Sequence, residues 1–406
     1  MLSQKTIDIV KSTAPILETT GKEITTVFYK NMFEAHPELL NIFNHANQER
    51  GRQQTALANT VTAAAYYIDK LEVLLPTVKQ IAQKHRSLVI KPEHYPIVGE
   101  YLLGAIKEVL GDAATDEIIN AWAEAYGAIA DVFISVEKEM YKQAETAPGG
   151  WSEFKEFTIS DKVKESDMIT SFYLKPTDGK QLPEFEPGQY ITVRVKVPGE
   201  TYLMNRQYSL TNASNGEYFR ISVKKEALAG SPEGKVSTFF HEQVEVGGTV
   251  EVTAPAGEFT LDIMNSAPVH FIAAGVGITP FMSMLHTLAK QNPNRNISFR
   301  HAAKNLQIQA FANEISSIKN MCPNMNTTFY IEDLSGEYDT TLNYMEGRLT
   351  ADEWKNIDRD AVYYICGPVG FMQFVVTTLY NNGVPKENVR YEFFGPALNV
   401  EEPIQG

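Results

Sequence analysis

"TAPGGW", residues 146–151, is where one hydrophobic period ends and another begins. A proline and two glycines interrupt any helix that runs into them, and the composition differs on the two sides. Upstream, residues 1–146 contain few glycines and place apolar residues three and four apart. Ile24, Val27, Phe28 and Met32 form one stripe, stopped near His36-Pro37; Leu57, Val61, Ala64 and Ile68 form a second; Val78, Ile81, Ala82, Leu88 and Val89 form a third. A long last helix carries Ile118, Trp122, Tyr126, Ile129, Ala130, Phe133 and Met140. This period predicts packed helices.

Downstream, from Trp151 to about Asp262, the pattern alternates. "QYITVRVKVPG" sets Ile191, Val193, Val195 and Val197 on one side, and "FRISVKK" and "VEVTAPAG" follow after turn residues, so an antiparallel barrel or sandwich is expected. The last third changes again. "PVHFIAAGVGITPFMSMLHTLAK" reads as strand, glycine turn, helix, and strands keep alternating with helices through "AVYYICGPVGFMQFVVTTLY", the mark of a doubly wound parallel sheet. Three domains are expected: all-α at 1–146, an antiparallel β-barrel at 147–262 and α/β at 263–406.

Composition narrows the function classes. With 406 residues, 43% hydrophobic and 21% charged, the chain is long enough for several cores. Its net charge of −14 repels a nucleic acid or an anionic membrane on average. Cys322 and Cys366 stand far apart, which argues against a disulfide framework and a thiolate metal site. Without a signal-type start or a long apolar run, a cytoplasmic protein is expected.

Three groups of residues stand out chemically. "AAGVGITP", residues 273–280, lies between a predicted strand and helix, where free N–H groups and the helix dipole favour a pyrophosphate. Gly275 and Gly277 let backbone approach a ligand, Thr279 suits a cap and Pro280 the first turn; a plain tight turn is the alternative. In "RQYSL", residues 206–210, Arg206 offers a forked cation, Tyr208 on the same side a flat ring, and Ser209 a hydroxyl; in isolation an ordinary surface strand is the better reading. The third group is helical. Of eight histidines, His85 sits squarely in an apolar stripe, a turn after Ile81 and Ala82. A satisfied core histidine would look the same, but Glu137, Gln53 and Tyr29 also fall on inward stripes, and a buried carboxylate must find a partner or lose its charge.

Order along the chain links these groups. "GQY" (188–190), "RQYS", "GKVS" (234–237), "AGVGITP" and "CGP" (366–368) resemble the ferredoxin-NADP-reductase superfamily over about residues 155–400. Phe43 in "NIFNHANQ", Gln53 and Leu57, and His85 before "IKPEHYPIVGEYL" are similar to the haem-pocket order of globins, so the whole chain resembles the flavohaemoglobins. That resemblance implies one haem b, one FAD and NAD(P)H as electron donor.

On the same resemblance, His85 ligates the haem iron, Tyr95 and Glu137 bond each other and the imidazole, and Tyr29 with Gln53 faces bound oxygen. Leu57 narrows the pocket, Phe43 lies on the porphyrin or fills a core corner, and Lys84 faces a propionate, Glu392 or solvent. FAD is met by Tyr190, by Arg206, Gln207, Tyr208 and Ser209, by Val236 and Ser237, and by the terminal Glu392, Phe393, Phe394, Gly395 and Pro396. Phe394 either covers the flavin or packs at the end of the sheet. NAD(P)H is met by Gly275, Val276, Gly277, Ile278, Thr279 and Pro280, and by Cys366, Gly367 and Pro368, although Cys366 equally suits the buried end of a core strand.

The implied activity is nitric oxide dioxygenation: NAD(P)H reduces FAD, FAD reduces haem, and NO and O2 leave as nitrate. An oxygen- or NO-sensing globin with its own reductase, and a flavin reductase with a partner-binding helical domain, are the alternatives. A monomer without nucleic acid or stable membrane association is expected. NADH against NADPH, and a lipid or azole-type ligand in the haem pocket, stay open.

Overall fold

The computed structural model describes residues 2–43, 51–226, 234–354 and 357–395. Contacts group them into two compact units: the helical stretch up to Phe154 joined by Thr192–Arg206, and a second unit holding Lys155–Ile191 and Gln207–Phe394.

The helical stretch contains α1 (Gln4–Ala35), α2 (Arg52–Tyr66), α3 (Leu75–Ser87), α4 (His94–Leu110) and α5 (Asp116–Thr146). Ser3 and Thr115 cap α1 and α5 by accepting from the N–H groups of Thr6 and Ile118, and Asp116 and Glu117 complement the helix dipole. At Gly21 a Cβ would lie 3.3 Å from that of Ala58, so the missing side chain lets α1 and α2 cross closely. Buried Trp122 ties α5 to α1 by donating to Thr13 Oγ1 at 3.1 Å. No described helix is long and apolar enough to cross a membrane.

The third stripe is shorter than its hydrophobic pattern predicts. Helix α3 ends at Ser87, so Leu88 and Val89 lie beyond it. Ile90 N–H bonds His85 O and Val89 N–H bonds Arg86 O, the pairing of a Schellman cap, with Val89 in the left-handed position at φ 60°. Apolar spacing does not reveal a cap made by a β-branched residue, because glycine normally occupies that place. Val89→Gly should therefore raise stability by about 1 kcal/mol, as a higher thermal midpoint of the helical stretch; a lowered midpoint would show that Val89 packing outweighs its strain.

After the expected break, β1 (Lys155–Lys164), β2 (Ile169–Pro176), β3 (Tyr190–Val195), β4 (Met204–Ser209), β5 (Phe219–Lys224) and β6 (Thr249–Val252) form a sheet in the order β4-β3-β6-β1-β2-β5, with α6 (Lys235–Glu242) between β5 and β6. β1 pairs antiparallel with β2 and β6, and β2 with β5. Alternation predicts only one buried side for β3, yet Thr192 is as buried as Ile191 and Val193, and Val197 lies past the end of the strand. Closed or covered sheets bury residues of both faces.

The last third is the predicted doubly wound sheet: β7 (Val269–Ala274), α7 (Thr279–Gln291), β8 (Ile297–Asn305), α8 (Ala312–Met321), β9 (Met325–Asp333), β10 (Tyr344–Glu346), β11 (Val362–Cys366), α9 (Val369–Asn381) and β12 (Val389–Glu392). Its order is β10-β9-β8-β7-β11-β12, with parallel pairing throughout. The chain runs outward from β7 in one direction, then returns to lay β11 on the other side. That reversal puts the loops after β7 and β11 side by side, where open α/β sheets bind ligands.

Candidate functional site

In the helical stretch, α5 acts as a seam of polar hooks. Tyr126, Glu137 and Tyr141 lie on one helix, and each holds a different part of the His85 region. Tyr126 donates to Tyr95 O at 2.6 Å and Tyr141 donates to Ile90 O at 2.7 Å. Buried Glu137 accepts a hydrogen bond from the Tyr95 hydroxyl at 2.6 Å and lies 2.7 Å from His85 Nδ1, with Tyr95 OH 3.2 Å from the same nitrogen. Burial and Glu137 push the Tyr95 phenol well above its usual range, so it remains a donor.

A carboxylate only accepts, so the imidazole proton of this bond sits on Nδ1. Nε2 is left with its lone pair. Among the described residues no group of three His, Cys, Asp or Glu side chains is placed to hold a metal ion. A lone imidazole with its second nitrogen anchored therefore fits a metal whose other ligands come with a macrocycle. Phe43, Leu57, Ile81 and Val98 are only half-buried around the helical cores, which leaves apolar surface for a flat hydrophobic group.

Tyr29 belongs to the main helical core, stacked on Phe33 at 5.7 Å and edge-on to Phe43 at 5.9 Å. Burial raises its pKa, and Gln53 acts against that rise. Lys84 donates to Gly395 O at 2.8 Å. Tyr126 and Tyr141 had no assigned role in the sequence pattern, where an aromatic on an apolar stripe reads as core.

On the flavin-type strand β4, Arg206, Gln207 and Tyr208 are all half-buried. Arg206 Nη1 donates to Asn205 O at 2.8 Å, and the Tyr208 ring meets Phe240 of α6 edge-on at 5.8 Å. Ser209 is largely buried at the end of the same strand. A Cβ on Gly257 would fall 2.9 Å from the Tyr190 ring, so that glycine makes room for the tyrosine. Ser237 accepts from Glu226 N–H and donates to Gly234 O, shaping the start of α6, while Val236 is buried. Phe394 is 44% exposed. Pro396 lies outside the described residues.

The nucleotide-type loop departs from its reading in two places. Thr279 does not cap α7: its hydroxyl donates to Val276 O at 2.9 Å, because a short 3-10 turn, Gly275–Ile278, leads into the helix. Gly277 does not make room for a ligand. A Cβ there would lie 2.2 Å from Cys366 O, so the space is needed by the chain's own backbone. Gly275, at φ 55° with nothing within 4 Å of a Cβ, is the open one, and Pro280 starts the helix as expected. A Cβ on Gly367 would sit 3.1 Å from that of Ala274, Pro368 precedes α9, and Cys366 is a buried thiol whose pKa is pushed up by burial and by Glu392.

Sequence reading missed His301. It shares the buried face of β8 with Ile297, Phe299 and Ala303, a position that period-two alternation alone would have flagged. Burial lowers its pKa to about 4, and that of His270 to about 4 with Arg300 adding to the fall. An unfolded histidine gains its proton near 6.5, so the unfolded chain binds more protons as pH falls from about 6.5 to about 4. Stability is full above that window and declines through it, by on the order of 3 kcal/mol for His301 alone. Urea midpoints at pH 7 and pH 5 should show the loss, and His301→Leu should lessen it; a flat profile would contradict neutral burial.

Family comparisons agree with this layout. A globin model matches residues 26–133, an oxidoreductase FAD-binding domain residues 156–261 and an oxidoreductase NAD-binding domain residues 271–377. A flavohemoprotein of Bacillus cereus is 53% identical over 404 residues, covering 99% of this chain and 100% of that protein. The crystal structure of a flavohemoglobin from Malassezia yamatoensis with bound FAD and heme superposes with a TM-score of 0.85 at 28% identity, over 97% of this chain and 100% of that one. The flavohem-like FAD/NAD-binding domain of a nitric oxide dioxygenase from Vibrio cholerae is 38% identical, with a TM-score of 0.54, over 60% of this chain and 99% of that one. A globin domain for haem, an FAD domain and an NAD domain in one polypeptide, with relatives this similar over their full length, show that the chain belongs to the flavohemoproteins.

Proposed function

We propose that this flavohemoprotein is a nitric oxide dioxygenase that uses NAD(P)H to convert NO and O2 to nitrate, as a cytoplasmic monomer with haem held by residues 1–146, FAD by 147–262 and the nucleotide by 263–406. The observation that carries the reading is the His85 imidazole whose Nδ1 is engaged by the buried Glu137 carboxylate and the Tyr95 hydroxyl. When bound, FAD divides a two-electron hydride into single electrons and haem supplies oxygen chemistry.

The chain's own residues set the conditions for that chemistry. His85 offers Nε2 as the ligand, and the carboxylate on Nδ1 makes the ring a stronger electron donor. Tyr95 and the hooks at Tyr126 and Tyr141 stop the imidazole from turning. Burial holds the Tyr29 phenol protonated, so its hydroxyl would be a donor to a small polar ligand, and Leu57 packs against the same core. On β4, Arg206 suits the FAD pyrophosphate, and Tyr208 and Ser209 suit its ring. The loops at 275–280 and 366–368 receive the nicotinamide nucleotide.

Anaerobic NADH should bleach the flavin and then change the haem spectrum of purified enzyme, and aerobic addition of NO should give nitrate at a rate proportional to enzyme. Tight ligand binding with slow release and little nitrate would favour a sensor instead. Tyr29→Phe removes one hydrogen bond in a dry pocket, about 1 kcal/mol or more, so oxygen should dissociate roughly fivefold faster or more. An unchanged off-rate would remove Tyr29 from the mechanism.

A further inference from the structure

His301 is 1% exposed, with the rings of Phe299 and Phe329 beside it. Its Nε2 lies 3.0 Å from the carbonyl oxygen of Gly275, 26 residues earlier at the end of β7. A carbonyl only accepts, so the ring proton is on Nε2. Nδ1 is then a buried lone pair without a partner among the described residues. An apolar side chain would fill this place without that desolvation cost, so the donated hydrogen bond is the imidazole's distinguishing contribution.

That bond controls a direction. No peptide bond among the described residues is cis, so in the 275–276 peptide C=O and N–H point opposite ways. With the Gly275 oxygen drawn toward His301 in the interior, the Val276 N–H is turned outward. It lies in the first residues of the 3-10 turn that leads into α7, where N–H groups lack partners within the turn. Gly275 has φ 55° and no neighbour within 4 Å of a Cβ, so side-chain packing there does not resist a flip of this peptide.

We propose that His301 is a positioning residue for the pyridine nucleotide: by donating to the Gly275 carbonyl it holds the 275–276 peptide with its N–H turned toward the nucleotide diphosphate. The inference rests on residues 275–280 being the nucleotide loop. Its test uses full-length, FAD- and haem-loaded enzyme. ADP-ribose, which carries the diphosphate but no hydride, is titrated calorimetrically into the oxidised protein, and NADH kinetics are followed with ferricyanide.

His301→Leu should weaken ADP-ribose about tenfold and raise KM for NADH with kcat little changed. His301→Gln, whose amide can still donate, should recover most of the affinity. The thermal midpoint of His301→Leu should not fall, because the unpaired nitrogen is gone. Unchanged ADP-ribose affinity in His301→Leu, or equal losses in the Leu and Gln variants with a lowered midpoint, would overturn the role. His301→Asn, too short to reach the carbonyl, replaces the Leu variant if that one does not fold. Gly275→Ala separates the two levels: if it weakens ADP-ribose and His301→Leu does not, the histidine's role fails alone, and if neither does, the loop assignment fails.

Discussion

His85→Ala should yield a protein that keeps its flavin and loses essentially all of its visible haem band. The proposed ligand is its imidazole, and among the described residues no group of three or more His, Cys, Asp or Glu side chains is placed to hold a metal ion instead. The variant leaves the Tyr95–Glu137 hydrogen bond of 2.6 Å in place, along with the Tyr126 and Tyr141 hooks, so loss of haem is separable from loss of fold. Far-UV circular dichroism should stay helical, and NADH should still bleach the flavin. NO consumption should fall to background. An intense haem band in His85→Ala would refute the assignment of the ligand, and with it the proposed activity.

The second large effect is expected at Gly277. A Cβ placed there meets Cys366 O at 2.2 Å, Cys366 C at 2.5 Å and Gly367 N at 2.7 Å. All three are backbone atoms at the end of a buried strand, and no side chain can swing aside to relieve the overlap. Gly277→Ala must therefore drive the loop after β7 away from the loop after β11, at a cost of about 3 kcal/mol or more. Anaerobic flavin reduction by NADH should slow by roughly 100-fold, while dithionite still reduces the haem. Gly275→Ala gives the contrast: its Cβ has open space and only the strain of φ 55°, about 1 kcal/mol, so a loss of roughly fivefold is expected. Equal behaviour of the two variants would mean that loop contact is not what Gly277 provides.

Much of this was legible in the chain. The break at 146–151, the change from helical to alternating to strand-helix patterning, and the inward stripes carrying His85 and Glu137 are all local properties of residue order, and each corresponds to a structural element. Motif order then linked the parts to a resemblance. Less legible were the residues that work through a partner far along the chain. Glu137 is 52 positions from His85, and His301 is 26 from Gly275. Thr279 looks like a cap from its position but acts as a donor, because the turn before it is wound as a 3-10 segment.

Period and residue type report which face of an element is apolar and where an element must stop, since those follow from side-chain chemistry within one or two turns. They determined the three architectures, the histidine worth asking about and the glycine loop. Only the tertiary structure decided which nitrogen of His85 is left with a lone pair, what fills the space beside Gly277, and why Val89 turns left-handed after α3. Those answers depend on the positions of atoms brought together by the packing of whole helices and strands, and hydrogen bonds and overlaps change sign within an ångström.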